Sequence, residues 1–278
     1  MPDCLFTSDL HGIPEKYQKL FTSIEVMRPE WVFLGGDLLP AMHQLEFLNG
    51  YLISNLRKLS TQMGEEFPLF LVIMGNDDPR LFEIIFQQED EKGLWYYMHQ
   101  KKLIMGEYVI YGYAHVPPSP FLLKDWERYD ISRFTDVGSV GPELGYHSLA
   151  TDLQEISYLT IARELEQLTK DEYSGNSIFL FHSPPYQTNL DRAALDGKMF
   201  DHAPLDVHVG SIAIRNFIEK KQPLLTLHGH IHESPRITGS WQDRIGASRC
   251  FSAAHDGPEL ALIRFNPEEL DQAERLII

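Results

Sequence analysis

The chain has 278 residues, enough for one large domain or two small ones, and its 43% hydrophobic and 23% charged residues are ordinary for a globular protein and exclude general disorder. A net charge of -16, from 40 acidic against 24 basic residues with no lysine or arginine stripe, argues against a nucleic-acid or anionic-membrane surface, since both depend on clustered cations. Two distant cysteines, Cys4 and Cys250, and a start "MPDCLFTSDLHG" without a basic or apolar leader segment, point to a reducing, cytoplasmic setting; no apolar run is long enough to span a bilayer.

In chain order, short apolar runs suited to strands occur at "CLFTS", "WVFLGG", "PLFLVIMG", "YVIYGYA", "SIFLFHS", "PLLTLHG", "RCFSAA" and "LALIRF". Helical patterns separate several of them: "PEKYQKLFTSIEVM" with proline at its start, 41–63, 150–170 and "GSIAIRNFIEKK". Strands alternating with helices in the first half imply parallel βαβ units, and the sparser helices near the end suggest antiparallel hairpins. No repeat, low-complexity tract or Gly/Ser linker marks a boundary, so residues 1–278 are expected to form a single domain. The stretch "HVPPSPFLLKDWERYD" has prolines and aromatics without a period, and 113–150 is expected to be a lid or substrate loop; a packed surface excursion is the alternative.

Five predicted strands end in polar residues of one chemical kind. They are "SDLHG" (Asp9, His11), "LGGDLL" (Asp37), "GNDD" (Asn76 to Asp78), "FHSPP" (His182) and "HGHIHES" (His228, His230, His232). In an open α/β sheet ligands bind beyond the carboxyl ends of the strands, so these residues can converge although distant in sequence. Residues two apart on extended chain point to one side, so Asp9 with His11, and His230 with His232, are expected to act as pincers. Imidazole, carboxylate and amide oxygen together suit divalent Mn, Fe, Zn or Ni. Glycines at Gly36, Gly75 and Gly229 permit close turns.

The ordered set D-x-H, G-D, G-N-x-D, H and G-H-x-H resembles the signature of the calcineurin-like metallophosphoesterase superfamily, from Asp9 to His232. The segments "GYAHVPPSPFLLKDWERYD" and "HSPPYQTNLD...HVGS" resemble a prokaryotic subgroup of it. The resemblance implies an α/β fold, a four-layer α/β/β/α sandwich with a dinuclear metal centre at the strand ends. It implies one metal on Asp9, His11, Asp37 and His232, and a second on Asp37, Asn76, His182 and His230, with Asp37 bridging. Two such ions lower the pKa of bound water, so a bridging hydroxide is the expected nucleophile and no Ser or Cys is needed. Two carboxylates against two divalent ions leave the centre positive, which lets an acidic protein hold a phosphate.

One residue departs from the pattern. Where the family carries a histidine that contacts phosphate and can protonate the leaving oxygen, this chain has Asp77. Beside two cations its carboxyl is expected to be ionised and unable to donate a proton. Asp77 is then expected to turn away, to pair with Arg80, or to contact a cationic or hydroxyl-bearing part of the substrate; a plain turn carboxylate is the bland reading. His208 and His115 become the candidate proton donors, Arg80 a candidate substrate contact, and Asp78 and His228 candidate supports behind the metal ligands. The leading expectation is a metal-dependent phosphoesterase acting on a small phosphomonoester or phosphodiester. A nuclease on the same fold is the alternative enzyme, disfavoured by the lack of a cationic track, and a catalytically weak interaction scaffold is the alternative from another class.

Overall fold

The structure is a computed structural model and describes residues 2–170 and 175–278. In the first half, the strands β1 (Cys4–Thr7), β2 (Trp31–Gly35), β3 (Leu69–Ile73) and β4 (Tyr96–Tyr97) lie parallel. Between them run α1 (Pro14–Met27), then α2 (Gln44–Glu46) continuing through a π-helical stretch Phe47–Ile53 into α3 (Ser54–Met63), then α4 (Glu83–Glu91). Pro14 suits the first turn of α1, where its missing N–H would have no partner anyway.

The hairpin β5 (Lys101–Met105) and β6 (Tyr108–Tyr113) opens the second half, followed by α5 (Leu153–Ile156), α6 (Ile161–Leu168) and β7 (Ser177–Phe181). A small ribbon, β8 (Met199–Phe200) and β9 (Ala203–Pro204), precedes α7 (Ile212–Lys221), β10 (Leu225–His228) and α8 (Ser234–Thr238). The chain ends with β11 (Gln242–Ile245), β12 (Ser248–Ser252), β13 (Ala261–Phe265) and β14 (Glu274–Ile277). Two six-stranded sheets result, ordered β14-β13-β1-β2-β3-β4 and β11-β12-β10-β7-β6-β5. The last hairpin, β13 with β14, returns to the first sheet beside β1.

The layering follows from side-chain alternation. Ile178 and Leu180 of β7 join the core that contains Leu5, Phe33 and Val72 of the first sheet. Phe179 and Phe181, pointing the other way, pack with Ile161 and Leu165 of α6 and Ile214 and Phe217 of α7. A strand covered on both faces needs apolar residues at every position, which is why these strands read as continuous apolar runs. The architecture is thus mixed α/β, with helices outside two facing sheets. No helix among the described residues is long and apolar enough to cross a membrane.

Two local expectations change. The pattern at 150–170 is two helices, because Thr160 Oγ1 accepts from Arg163 N at 3.2 Å and Ile161 N donates to Tyr129 O at 2.8 Å, starting a new helix there. The edge strands β5, β11 and β14 carry charged residues and are partly exposed, so they lack the apolar signal that marked the others.

Residues 124–130 are a packed strut, while Pro120 to Leu122 before them are exposed. Trp126 is fully buried and its Nε1 donates to Asp78 O at 2.7 Å; Asp125 accepts from Arg80 N at 2.8 Å and Ser148 N at 2.9 Å. At the far end Asp130 accepts from Ile212 N at 2.7 Å and Ser211 Oγ at 2.6 Å, so the strut links the turn after β3 to the start of α7. His115 belongs to this packing. Only 2% exposed, it sets Nδ1 2.8 Å from Glu164 Oε2, and its ring meets His99, Tyr113 and Trp126.

Burial, then the charge of Arg128, lowers His115 to about 4 against an ordinary 6.5. Above 6.5 both folded and unfolded chains carry it neutral; below 6.5 the unfolded chain takes up a proton that the folded chain refuses until about 4, so stability is lost as pH falls through that window. Between pH 7.5 and 5 the wild type should lose roughly 2 kcal/mol more unfolding free energy than His115→Gln. Parallel losses in denaturant titrations at the two pH values would exclude this.

Candidate metal centre

The turns beyond β1, β2, β3, β7 and β10 meet at one end of the two sheets. Ten non-glycine residues among those described have positive φ, and four of them are Asp9 (59°), His11 (46°), Asp37 (52°) and His230 (74°). That region is sparsely populated by residues with a Cβ, and such conformations persist where the surroundings impose them. Here Asp9 N donates to Gly36 O at 3.0 Å, His11 N to Asp37 O at 2.8 Å, and His230 N to Asp9 Oδ1 at 3.0 Å. Convergence therefore comes from left-handed turns past the strand ends and not from alternation along extended chain.

Asp9, His11, Asp37 and His232 offer donor atoms that all lie within 4.8 Å of one another, and Asp37, His182 and His230 do the same. Asp37 belongs to both groups. His230 and His232, two residues apart, are divided between them. Within the first group His11 Nε2 is 3.2 Å from His232 Nε2, and His232 Nε2 is 3.3 Å from Asp9 Oδ1. Within the second, His182 Nε2 is 3.3 Å from Asp37 Oδ2 and 2.9 Å from Asn76 Oδ1, while His182 Nδ1 faces Gly35 O at 2.8 Å. That last contact makes Nδ1 the donor and leaves Nε2 turned to the cluster.

A cation fits these donors. Asp9 and Asp37 are 1% exposed, and burying bare carboxylates demands a positive partner. Burial works against the ionised form of both, yet His232 for Asp9 and His182 for Asp37 hold the carboxyls below the usual range. Reciprocally, burial would lower His182, but Asp37 and then Asp9 raise it to about 10, and Asp9 raises His232 to about 9. Burial and then the charge of His182 take His230 down to about 3. The two carboxylates thus call for positive charge at this point, and the imidazole, carboxylate and amide set suits divalent transition metals.

Space is equally specific. A Cβ added at Gly75 would lie 2.3 Å from Asp37 Oδ1 and 2.7 Å from His182 Cε1, and one at Gly229 would lie 2.0 Å from Ser8 Oγ and 2.7 Å from Asp9 Oδ2.

A family model described as calcineurin-like phosphoesterase matches residues 4–234. The chain belongs to that family. A search of curated proteins found no match. Among solved structures, the protein TT1561 of Thermus thermophilus is 18% identical with a TM-score of 0.60, covering 99% of this chain and 98% of that one. A dimetal phosphatase from Danio rerio is 10% identical with a TM-score of 0.53, covering 100% of this chain and 99% of that one. At these identities the likeness is one of fold. Family membership makes the chain a metal-dependent phosphoric ester hydrolase.

Around the donors of this phosphoesterase, the remaining predicted residues take distinct places. Asp78, a candidate support behind the ligands, is fully buried and accepts from Leu38 N at 3.0 Å, Leu39 N at 2.8 Å and Gly75 N at 2.9 Å, backbone amides of the turns that carry Asp37 and Asn76. Burial and the charge of Asp37 push its carboxyl up to about 7, with the three amides pulling the other way. His228 is held in the core, Nδ1 2.9 Å from Ser183 O, Nε2 2.7 Å from Thr226 Oγ1 and the ring stacked on Phe181, so neither nitrogen is available to an ion. His115 is not brought to the cluster at all, because the strut buries it against Glu164.

Asp77 neither turns away nor pairs with Arg80, which instead reaches Glu83 Oε2 at 3.0 Å and lies over Trp126. Its amide donates to Asp37 Oδ1 at 2.8 Å, its Oδ1 accepts from Asn76 Nδ2 at 2.8 Å, and its Oδ2 stands 3.7 Å from His11 Nδ1. The bond to Nδ2 turns the Asn76 oxygen toward His182. Burial and then Asp37 act to raise the Asp77 carboxyl, while His11 and His182 act to lower it. His208 stands on a separate loop, Nδ1 2.8 Å from Asp191 Oδ1. Asp191 and His208 both fall within "HSPPYQTNLD...HVGS", but an acid 17 positions before its histidine has no local spacing to mark the two as a pair.

Because the glycine contacts lie below any real Cβ separation, Gly75→Ala or Gly229→Ala should reduce bound transition metal to less than half the wild-type content after reconstitution. Elemental analysis of folded protein checks this, and wild-type loading in both variants would refute the crowding.

Proposed function

We propose that this phosphoesterase hydrolyses small phosphodiesters in preference to phosphomonoesters, using a dinuclear centre. The observation that carries the reading is the sharing of Asp37 between two donor groups. One ion would be held by Asp9, His11, Asp37 and His232, the other by Asp37, Asn76, His182 and His230, with Mn, Fe, Ni or Zn suited to these donors. Divalent ions held there would supply Lewis-acid charge to phosphoryl oxygens and a water made nucleophilic at neutral pH.

The chain's own residues set the charge that a substrate meets. Asp9 and Asp37 offset half of the charge of two divalent ions, and Asp77, whose side chain is 55% exposed beside His11, subtracts one more where the family places a neutral or cationic imidazole. A phosphomonoester dianion is repelled by that carboxylate about twice as strongly as a diester monoanion. The substrate is taken to be small because a chain of net charge -16, with no run of lysine or arginine in its sequence, has no evident cationic track to follow a polymer backbone.

Chelation followed by dialysis should abolish hydrolysis of an aryl phosphodiester, and manganese or nickel should restore it in the wild type but not in Asp37→Asn; activity persisting through chelation would sink the dinuclear reading. Asp77→His should raise the monoester-to-diester ratio of kcat/KM by roughly tenfold, the scale of one unit charge acting at about 4 Å through a water-rich site. A ratio that does not move would show that Asp77 does not discriminate by charge.

A further inference from the structure

We infer that His208, oriented by Asp191, is the group that protonates the departing oxygen of the hydrolysed ester; this rests on the phosphodiesterase reading above. With an anion at Asp77, the donor cluster retains no imidazole free of the proposed metal-binding role, so the leaving group needs a donor from elsewhere.

The geometry of His208 is that of an oriented acid. Asp191 is completely buried and accepts from Gln187 N at 2.8 Å, Thr188 N at 2.9 Å and Gly210 N at 3.2 Å, so its carboxylate cannot swing. It takes His208 Nδ1 at 2.8 Å, which makes Nε2 the outward nitrogen on a side chain 29% exposed. The ring also meets Tyr186 edge-on, with centroids 6.1 Å apart, and Tyr186 is itself tied by its hydroxyl to Asp206 at 2.6 Å. An imidazole whose inner nitrogen is fixed by a carboxylate keeps one tautomer and one direction, as acid-base catalysis requires.

Its place in the fold ties it to the segments that follow two of the metal donors. On one side Ser211 N donates to Pro184 O at 2.9 Å, tying the His208 loop to the residues just after His182. On the other, Arg192 pairs in antiparallel fashion with His208, and Arg192 N donates to Ser234 Oγ at 3.0 Å while Ala194 N donates to Glu233 Oε1 at 2.9 Å, directly after His232. The dyad is therefore suspended between the loops that carry one donor of each group. In the step, the ester P–O bond breaks with its electron pair going to the alcohol oxygen, and His208 Nε2 gives that oxygen its proton. Water supplies the oxygen that replaces it on phosphorus, and the proton water releases restores His208.

The test compares methyl 4-nitrophenyl phosphate, whose leaving group needs no proton, with methyl phenyl phosphate, whose leaving group does. In manganese-loaded enzyme, His208→Gln should lose roughly 10²-fold more kcat on the phenyl ester than on the nitrophenyl ester, and Asp191→Asn should show the same selectivity at unchanged metal content. Separately, carbethoxylation of His208 in the wild type, read by peptide mass, should be slowed by the methylenephosphonate analogue of the phenyl ester. Equal losses on both esters, or no protection by the analogue, would overturn the role of His208 while leaving the diesterase reading intact. A wild type that cleaves neither ester would overturn both.

Discussion

One buried carboxylate joins the turns after β2 and β3, and the placement of the donors follows from it. Asp78 gathers the amides of Leu38, Leu39 and Gly75, so Asp37 on one turn and Asn76 on the other are held together by protein hydrogen bonds. The approach is close enough that only glycine fits at position 75. Removing a carboxylate from water is costly unless its lone pairs are taken up, and three backbone donors at one residue take up most of them.

The same device recurs around the site. Asp125 anchors the strut to Arg80 N, Asp130 binds the first turn of α7, and Asp191 closes the loop that presents His208; all are buried and all accept backbone N–H groups. Part of the acidic excess in the composition is thus internal, placed on loops that have no helix or sheet ladder to satisfy their amides. This accounts for a long irregular segment that is nonetheless packed, with Trp126 at its centre donating to the carbonyl of Asp78 itself.

At the centre, charge is balanced locally. Asp9 and Asp37 favour the charged form of His232 and His182, so the two buried carboxylates draw positive charge to the donors around them. Asp77 is woven into this arrangement through Asn76 and Asp37: its carboxylate accepts from the Asn76 amide nitrogen and its own backbone N–H donates to Asp37.

The sequence by itself determined the eight core strands, the parallel first half, the family and the residues that could ligate a metal, because each rests on local signals: continuous apolar runs and short polar motifs at fixed spacing. It did not reveal the break at Thr160, the polar edge strands, or the burial of His115, all of which depend on what packs against them. The pincer motifs were legible as pairs, but the reason that His230 and His232 serve different groups lies in the positive φ of His230, imposed by Asp9 some 221 residues away. Asp191 and His208 likewise form a pair only once a strand pairing folds 192 against 208. Residue type is written in the chain; which atom of that residue faces which neighbour was decided by backbone turns whose hydrogen-bond partners come from other strands.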